Sequence, residues 1–210
     1  MAKTDRSEEQ LSNDGAASIA APFSVSLTID GTADLLFHRW SNESVAEKSA
    51  AAKGSKAKKS DDVESYVYRD AEGRICIPGR YVVRSVVEAG RFYQDPRSSR
   101  KMAKELVQAG VICEDVMSPV LVNGEPAVDW DYLDRQRVTI MRSAITRTRP
   151  AFTKGWQCRF TLTSILPEYI SPAFLRTLVD GAGKFIGLAD FRPTYGRFVV
   201  SRWEHAEPAA

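Results

Sequence analysis

The sequence is poor in the side chains that carry most enzymatic proton transfer: two histidines stand among 210 residues. His205 lies near the C-terminal end. His38 reads as a strand histidine rather than a general base, and no serine or cysteine can be matched to it as a nucleophile, so no hydrolase triad can be read. The three cysteines, Cys76, Cys113 and Cys158, are widely separated and form no CxxC pair, which argues against a zinc site and for a reducing compartment. No apolar run approaches the roughly 18 residues needed to cross a bilayer, and the first residues lack a signal-peptide apolar core, so no membrane partner is expected. There is no GxxxxGK(S/T) loop and no ordered GxGxxG, which excludes the common phosphate-cradling turns of ATP sites. Asp129, Asp131 and Asp134 lack the glycine and terminal glutamate of an EF-hand and read as a solvated acidic segment. No metal and no cofactor are expected.

What is present is an ordinary globular composition with an uneven charge pattern. Hydrophobic residues make up 43% and charged residues 27%, and the net charge is +2. Residues 114–134 hold six acids and no base, whereas residues 135–167 hold seven bases and no acid. Residues 74–104 carry eight bases against two acids. Segregation of this kind builds a basic face, or complementary faces between subunits.

Residues 1–21 and 206–210 read as disordered tails around a single domain at 22–205, interrupted by a mobile Lys-rich insertion at 41–62. Phe23, Val25, Leu27 and Ile29 alternate with Ser24, Ser26 and Thr28, the pattern of a half-buried strand, and Leu35 to Trp40 reads as a second. Asp70-Ala71-Glu72-Gly73 predicts a hairpin turn. Pro78 opens a helix to about Tyr93 whose Val82, Val83, Val86, Val87 and Gly90 form one apolar stripe. A second helix is predicted over Ser98–Ala109, ended by a left-handed Gly110, and a third from the Ser171-Pro172 cap to a stop at Gly181. Strands are predicted at Val138–Met141, Trp156–Ser164 and Gly196–Trp203. This order predicts an α+β class and a ferredoxin-like, RRM-like split βαβ sandwich with an inserted β-hairpin.

Two stretches carry the chemistry: Arg147-Thr148-Arg149-Pro150-Ala151-Phe152 with Trp156 after it, and Gly187 to Phe198, which reads GLADFRPTYGRF. Guanidinium groups meet phosphates and aromatic faces accept stacked bases, so this mixture suits a single nucleic-acid strand. The expected phosphate contacts are Arg142, Arg147, Arg149, Lys154, Arg192 and Arg197, with Phe152, Trp156 and Tyr195 for stacking. Lys53, Lys56, Lys58 and Lys59 of the insertion would clamp the bound strand.

These motifs resemble a family of small proteins of tailed bacteriophages and prophages that share RxRPxF and GxGxxRPxxGRF elements. Ala189 stands where that family has a glycine. More distantly, Ile77-Pro78-Gly79 entering a helix, with a late Gly-Arg-Phe strand, is similar to the RAMP backbone subunits of CRISPR effectors. The resemblance implies a phage-encoded, RRM-like subunit that binds single-stranded DNA or RNA in a bacterial host cytoplasm. It also implies a homo-oligomer growing along the strand, as a filament or ring. The acidic and basic blocks would dock head to tail, with Val120, Trp130 and Tyr132 as apolar anchors. On this reading the chain is not an enzyme. The alternatives are a virion or assembly component and a RAMP-type endoribonuclease using His38.

Overall fold

A computed structural model describes residues 20–39, 50, 62–140 and 143–205. The expectations placed on residues 1–19, on most of the Lys-rich insertion with its four named lysines, on Arg142 and on residues 206–210 lie outside the described residues. Along the chain run β1 (Phe23–Gly31), β2 (Leu35–Leu36), β3 (Tyr68–Arg69), β4 (Ile75–Pro78), α1 (Gly79–Ala89), α2 (Lys104–Gly110), β5 (Val111–Cys113), β6 (Met117–Pro119), β7 (Leu121–Val122) and β8 (Glu125–Pro126). A long hairpin follows, β9 (Tyr132–Ile140) with β10 (Ser143–Phe152), then β11 (Gln157–Ser164), α3 (Pro172–Gly181) and β12 (Phe198–His205). The class is mixed α+β with antiparallel sheets.

Alternation decides the central sheet. Val25, Leu27 and Ile29 of β1 and Cys158, Phe160 and Leu162 of β11 are buried, and the two strands pair antiparallel from Phe23 opposite Ser164 to Asp30 opposite Gln157. β12 adds to the other side of β1, and β5 adds to the far side of β11. The buried valines of α1 and Leu175, Leu178 and Val179 of α3 close the core. Valine is a mediocre helix former, so packing of this stripe, rather than propensity, holds α1.

The opposite face of the sheet presents Ser24, Ser26, Thr28 and Asp30 from β1, Gln157, Arg159 and Thr161 from β11, and Arg202 and Glu204 from β12, and the aromatic rings of these strands lie off that face.

The helix ends differ from expectation. Ser171 caps α3 by accepting from the Phe174 N–H at 3.3 Å, as predicted. The helix then passes Gly181 into a π-turn over Ala182–Ile186 and stops at Gly187, whose φ is +79°. α2 begins only at Lys104, because residues 94–102 fold into a loop held by the Gln94–Met102 bridge. Gly110 is the last residue of α2 and serves by smallness, since a Cβ there would press on Ile170 and Leu166. The predicted second strand shrinks to Leu35–Leu36.

Trp156 fixes the junction of the sheet and the hairpin. It is 1% exposed and donates its indole N–H to the Ala33 carbonyl at 2.9 Å. Its ring fills the space a side chain at position 31 would need, so a Cβ on Gly31 would collide with three indole atoms. Gly31→Ala is therefore expected to cost about 1–3 kcal/mol in urea unfolding. Gly124, at a solvent-facing turn, serves as the backbone control, because φ of +86° there makes alanine costly without any clash.

Burial pushes the Cys76 and Cys158 thiols up to about 12. The folded state holds these protons more tightly than the unfolded chain, so this contribution is full below pH 9 and drains as pH rises towards 12. In native protein at pH 8 a thiol reagent is expected to leave both unmodified, and to label both in denaturant.

Candidate nucleic-acid interface

Between α1 and the segment from Gly187 to Phe198 lies a cleft of about 550 Å³. One wall is the polar side of α1, where Arg80, Arg84 and Glu88 recur at four-residue spacing. The other wall is the Gly187–Phe198 loop, tied at its neck by the Leu188 N–H to the Gly196 carbonyl at 2.8 Å. The Asp190 N–H donates to Leu36, and Gly196 N–H to Asp34, so the loop is pinned against the β2 segment.

Arg149 anchors this loop from beneath. It projects from β10 with its side chain 7% exposed, and its Nε donates to Asp190 Oδ2 at 2.5 Å. The Phe191 ring lies over the guanidinium, 4.3 Å from its carbon to the ring centre. His38 Nδ1 stands 3.7 Å from the same Asp190 oxygen. Arg149 is thus a buried support for the loop and not a surface phosphate contact, which corrects the expectation. Arg147 shares its face of β10, half-buried opposite Gln136, whose amide donates to the Tyr195 hydroxyl at 2.7 Å.

The other predicted residues divide sharply. Phe152 is fully buried against Phe37, and Trp156 sits in the core, so neither ring has a face to offer a base. Lys154 is exposed, but its turn is held by Asp34 and Asp131, and the acidic setting disfavours a phosphate contact. Arg197 spends its Nε on the Pro193 carbonyl at 2.7 Å and braces the loop. Arg192 remains at the cleft, while the half-exposed Tyr195 stands beside it on the hairpin side, its hydroxyl accepting from Gln136.

Arg192 meets a residue the motif reading did not single out. Arg192 and Arg84 line the cleft together with Tyr81, and among the described residues neither guanidinium is in a hydrogen bond or a close ion pair, although Asp190 attracts Arg192 from a greater distance. Burial, and then the positive charge of Arg84, lower the Arg192 pKa below its ordinary value. Beside them, Arg80 donates to the Tyr68 hydroxyl at 2.8 Å and lies over the Tyr68 and Tyr81 rings, while Arg39 covers Tyr68 at 5.1 Å. The Arg80–Arg84 spacing in the basic 74–104 block was the available signal for this wall.

No family model matches the chain, and no curated protein matches it, so the phage likeness stays a resemblance of short elements. Among solved structures the chain is similar to one in the cryo-EM structure of the Type III-B Cmr-beta bound to cognate target RNA, at 10% identity with a TM-score of 0.52. The match covers 90% of this chain and 62% of that one, so this chain spans under two thirds of its neighbour's length. The crystal structure of Cmr6 from Pyrococcus furiosus also aligns, at 10% identity and a TM-score of 0.47, over 86% of this chain and 98% of that one. The similarity to the Cmr-beta chain is one of fold, and at that level it agrees with the distant RAMP likeness read from the sequence.

Two outcomes test the geometry. Removing Arg149 leaves Asp190 half-covered without its partner, and Arg149→Ala is expected to cost about 3 kcal/mol in denaturant melts. Ala189 has φ of +58°, in the left-handed region that a side chain resists by about 1–2 kcal/mol. Glycine costs some unfolded-state entropy, so Ala189→Gly is expected to raise stability by a net of about 1 kcal/mol.

Proposed function

We propose that the chain is a non-catalytic subunit that binds a single nucleic-acid strand in the α1–loop cleft and associates with copies of itself. The observation that carries this reading is the Arg84–Arg192 pair. Two guanidinium groups are held close together next to the Phe191 ring and Tyr81, and the two carboxylates of the cleft are engaged elsewhere, Asp190 by Arg149 and Glu88 by Arg91 and Lys104. Gathering like charges costs free energy that an incoming phosphodiester returns. The sheet face, where RRM proteins stack bases, carries hydroxyls and charges without rings in its central strands, which favours the helix-and-loop side.

A ferredoxin-like, split βαβ core is part of the proposal. It is supported by the strand order β12–β1–β11–β5, with α1 following β1 and α3 following β11 in the chain. The neighbour of similar fold is bound to RNA, which supports RNA over DNA as the strand. The phage likeness of the motifs supports a bacterial cytoplasm as the place of action.

Self-association rests on surface complementarity. A groove of about 820 Å³ runs beside α1, with exposed Ile112 and Val116 between Arg80, Arg84 and Lys104. The acidic stretch exposes Val128 and Leu133 beside Asp129 and Asp131. These two replace the expected anchors, since Val120 is buried, Trp130 packs partly buried against the core and Tyr132 donates its hydroxyl to Asp34 at 2.7 Å.

The test is oligonucleotide binding across a salt series. Affinity is expected to fall with salt by a slope near ~0.7 per phosphate contacted. The double variant Arg84→Ala/Arg192→Ala is expected to reduce that slope by one to two contacts while leaving the melting temperature within about 2 °C. An unchanged slope in the folded double variant refutes the cleft. Cleavage of the oligonucleotide that disappears in His38→Ala would replace the binding reading by the nuclease one. Asp129→Lys/Asp131→Lys is expected to lower the mass seen by light scattering at low salt, and a monomeric wild type at high concentration would overturn self-association.

A further inference from the structure

At the edge of the cleft, the described surface has a place where two large aromatic rings stand exposed against each other. Phe92, in the 3-10 turn after α1, is 51% exposed, and Phe185, in the π-turn after α3, is 40% exposed. Their ring centres lie 5.1 Å apart with planes tilted by 49°. Phenylalanine has no polar handle, and burying both rings in the nearby core would remove apolar surface from water at no hydrogen-bond cost. The two turns instead hold them outward.

The surroundings are cationic. Lys184 Nζ lies 5.4 Å from the Phe185 ring centre. Arg91 precedes Phe92 and shares the single carboxylate of Glu88 with Lys104, which leaves that trio net positive. Lys101 is exposed on the 94–102 loop, which folds back on the segment after Phe92 through the Asp95 N–H to the Lys101 carbonyl. A protein-docking patch is usually rimmed by mixed polar groups. Rings ringed by cations match bases stacked beneath a phosphate chain. Phe185 also lines the cleft that holds Arg84, Arg192 and Phe191, so the ledge and the cleft are one continuous surface.

We infer that the Phe92–Phe185 ledge is a second, sequence-tolerant stacking subsite for the same single strand, taking the bases that leave the cleft past Phe185. This rests on the cleft reading above. The occupant is single-stranded nucleic acid: every base has a π-face, so the ledge adds affinity without adding sequence preference. Arg91, Lys101 and Lys184 supply the phosphate side.

The experiment uses the full chain and fluorescein-labelled oligouridylates of about 4 to 16 nucleotides, the span of one small single-strand fold. Wild-type affinity is expected to rise with length beyond what the cleft alone holds. Phe92→Ala/Phe185→Ala is expected to flatten that rise and weaken the long oligonucleotide by about ten- to a hundred-fold, with the short one unchanged. Phe92→Leu/Phe185→Leu keeps apolar bulk and covers the case of a poorly folded alanine variant. It is expected to show the same selective loss, because leucine has no ring to stack on. Undiminished long-oligonucleotide affinity in the leucine variant means the rings act as apolar surface for a protein partner, and overturns the proposal while leaving the cleft intact. Weaker binding of both long and short oligonucleotides in Arg84→Ala/Arg192→Ala, with the ledge intact, is the expected complement. No binding by the wild type at any length overturns the cleft reading and the ledge with it.

Discussion

A guanidinium taken out of water must be met by an anion, and Arg149 is met by Asp190. Nearly everything at the candidate site depends on that pairing. Arg149 is fixed by the ladder of β10 with β9, so its partner has to come to it, and the partner sits on the loop between α3 and β12. With Asp190 held, the Phe191 ring lies over the guanidinium and the next residue, Arg192, is directed to α1. The pair therefore sets the width of the cleft. A lysine at 149 would keep the charge but lose the planar surface on which Phe191 rests.

The sequence displayed its periodic elements plainly. The valine stripe of α1, the alternation of β1 and β11 and the Ser171-Pro172 cap involve residues a few positions apart, and local spacing determines them. What it concealed was the fate of single aromatic and basic residues. Trp156 and Phe152 belong to motifs that look like a binding surface, yet a glycine at position 31 and a phenylalanine at position 37 open and fill the spaces that bury them. Such complementarity depends on distant parts of the chain and leaves no local period. The hairpin arm was half visible: the strand read at Val138–Met141 overlaps the end of β9, whereas no strand was read over β10, which holds Pro150 within it. The strand tolerates that proline, and its carbonyl accepts from the Phe37 N–H at 3.0 Å.

The site itself was legible on one side only. Arg192 stands out in a motif, but its counterparts Arg84 and Tyr81 are ordinary members of an amphipathic helix. A helix must put charged residues somewhere on its polar face, so Arg80 and Arg84 acquire meaning only once a loop carrying another unpaired arginine is folded against them. Charge blocks along a chain thus report less than charge without a partner in space. By that measure the 135–167 block loses Arg149 to an ion pair and Lys154 to an acidic turn, while the 74–104 block gains importance.

The neck of the loop has an entropic consequence. Gly187 and Gly196 adopt φ of +79° and +72°, and a Cβ on Gly196 would strike the Leu188 backbone, so the two strands of the neck touch with nothing between them. A segment closed this tightly does not have to be ordered by its ligand. On the proposed function, encounter would resemble the docking of two finished shapes, with little entropy left to remove from the protein. Widening the neck would loosen the loop and leave ordering entropy to be removed when the cleft is filled.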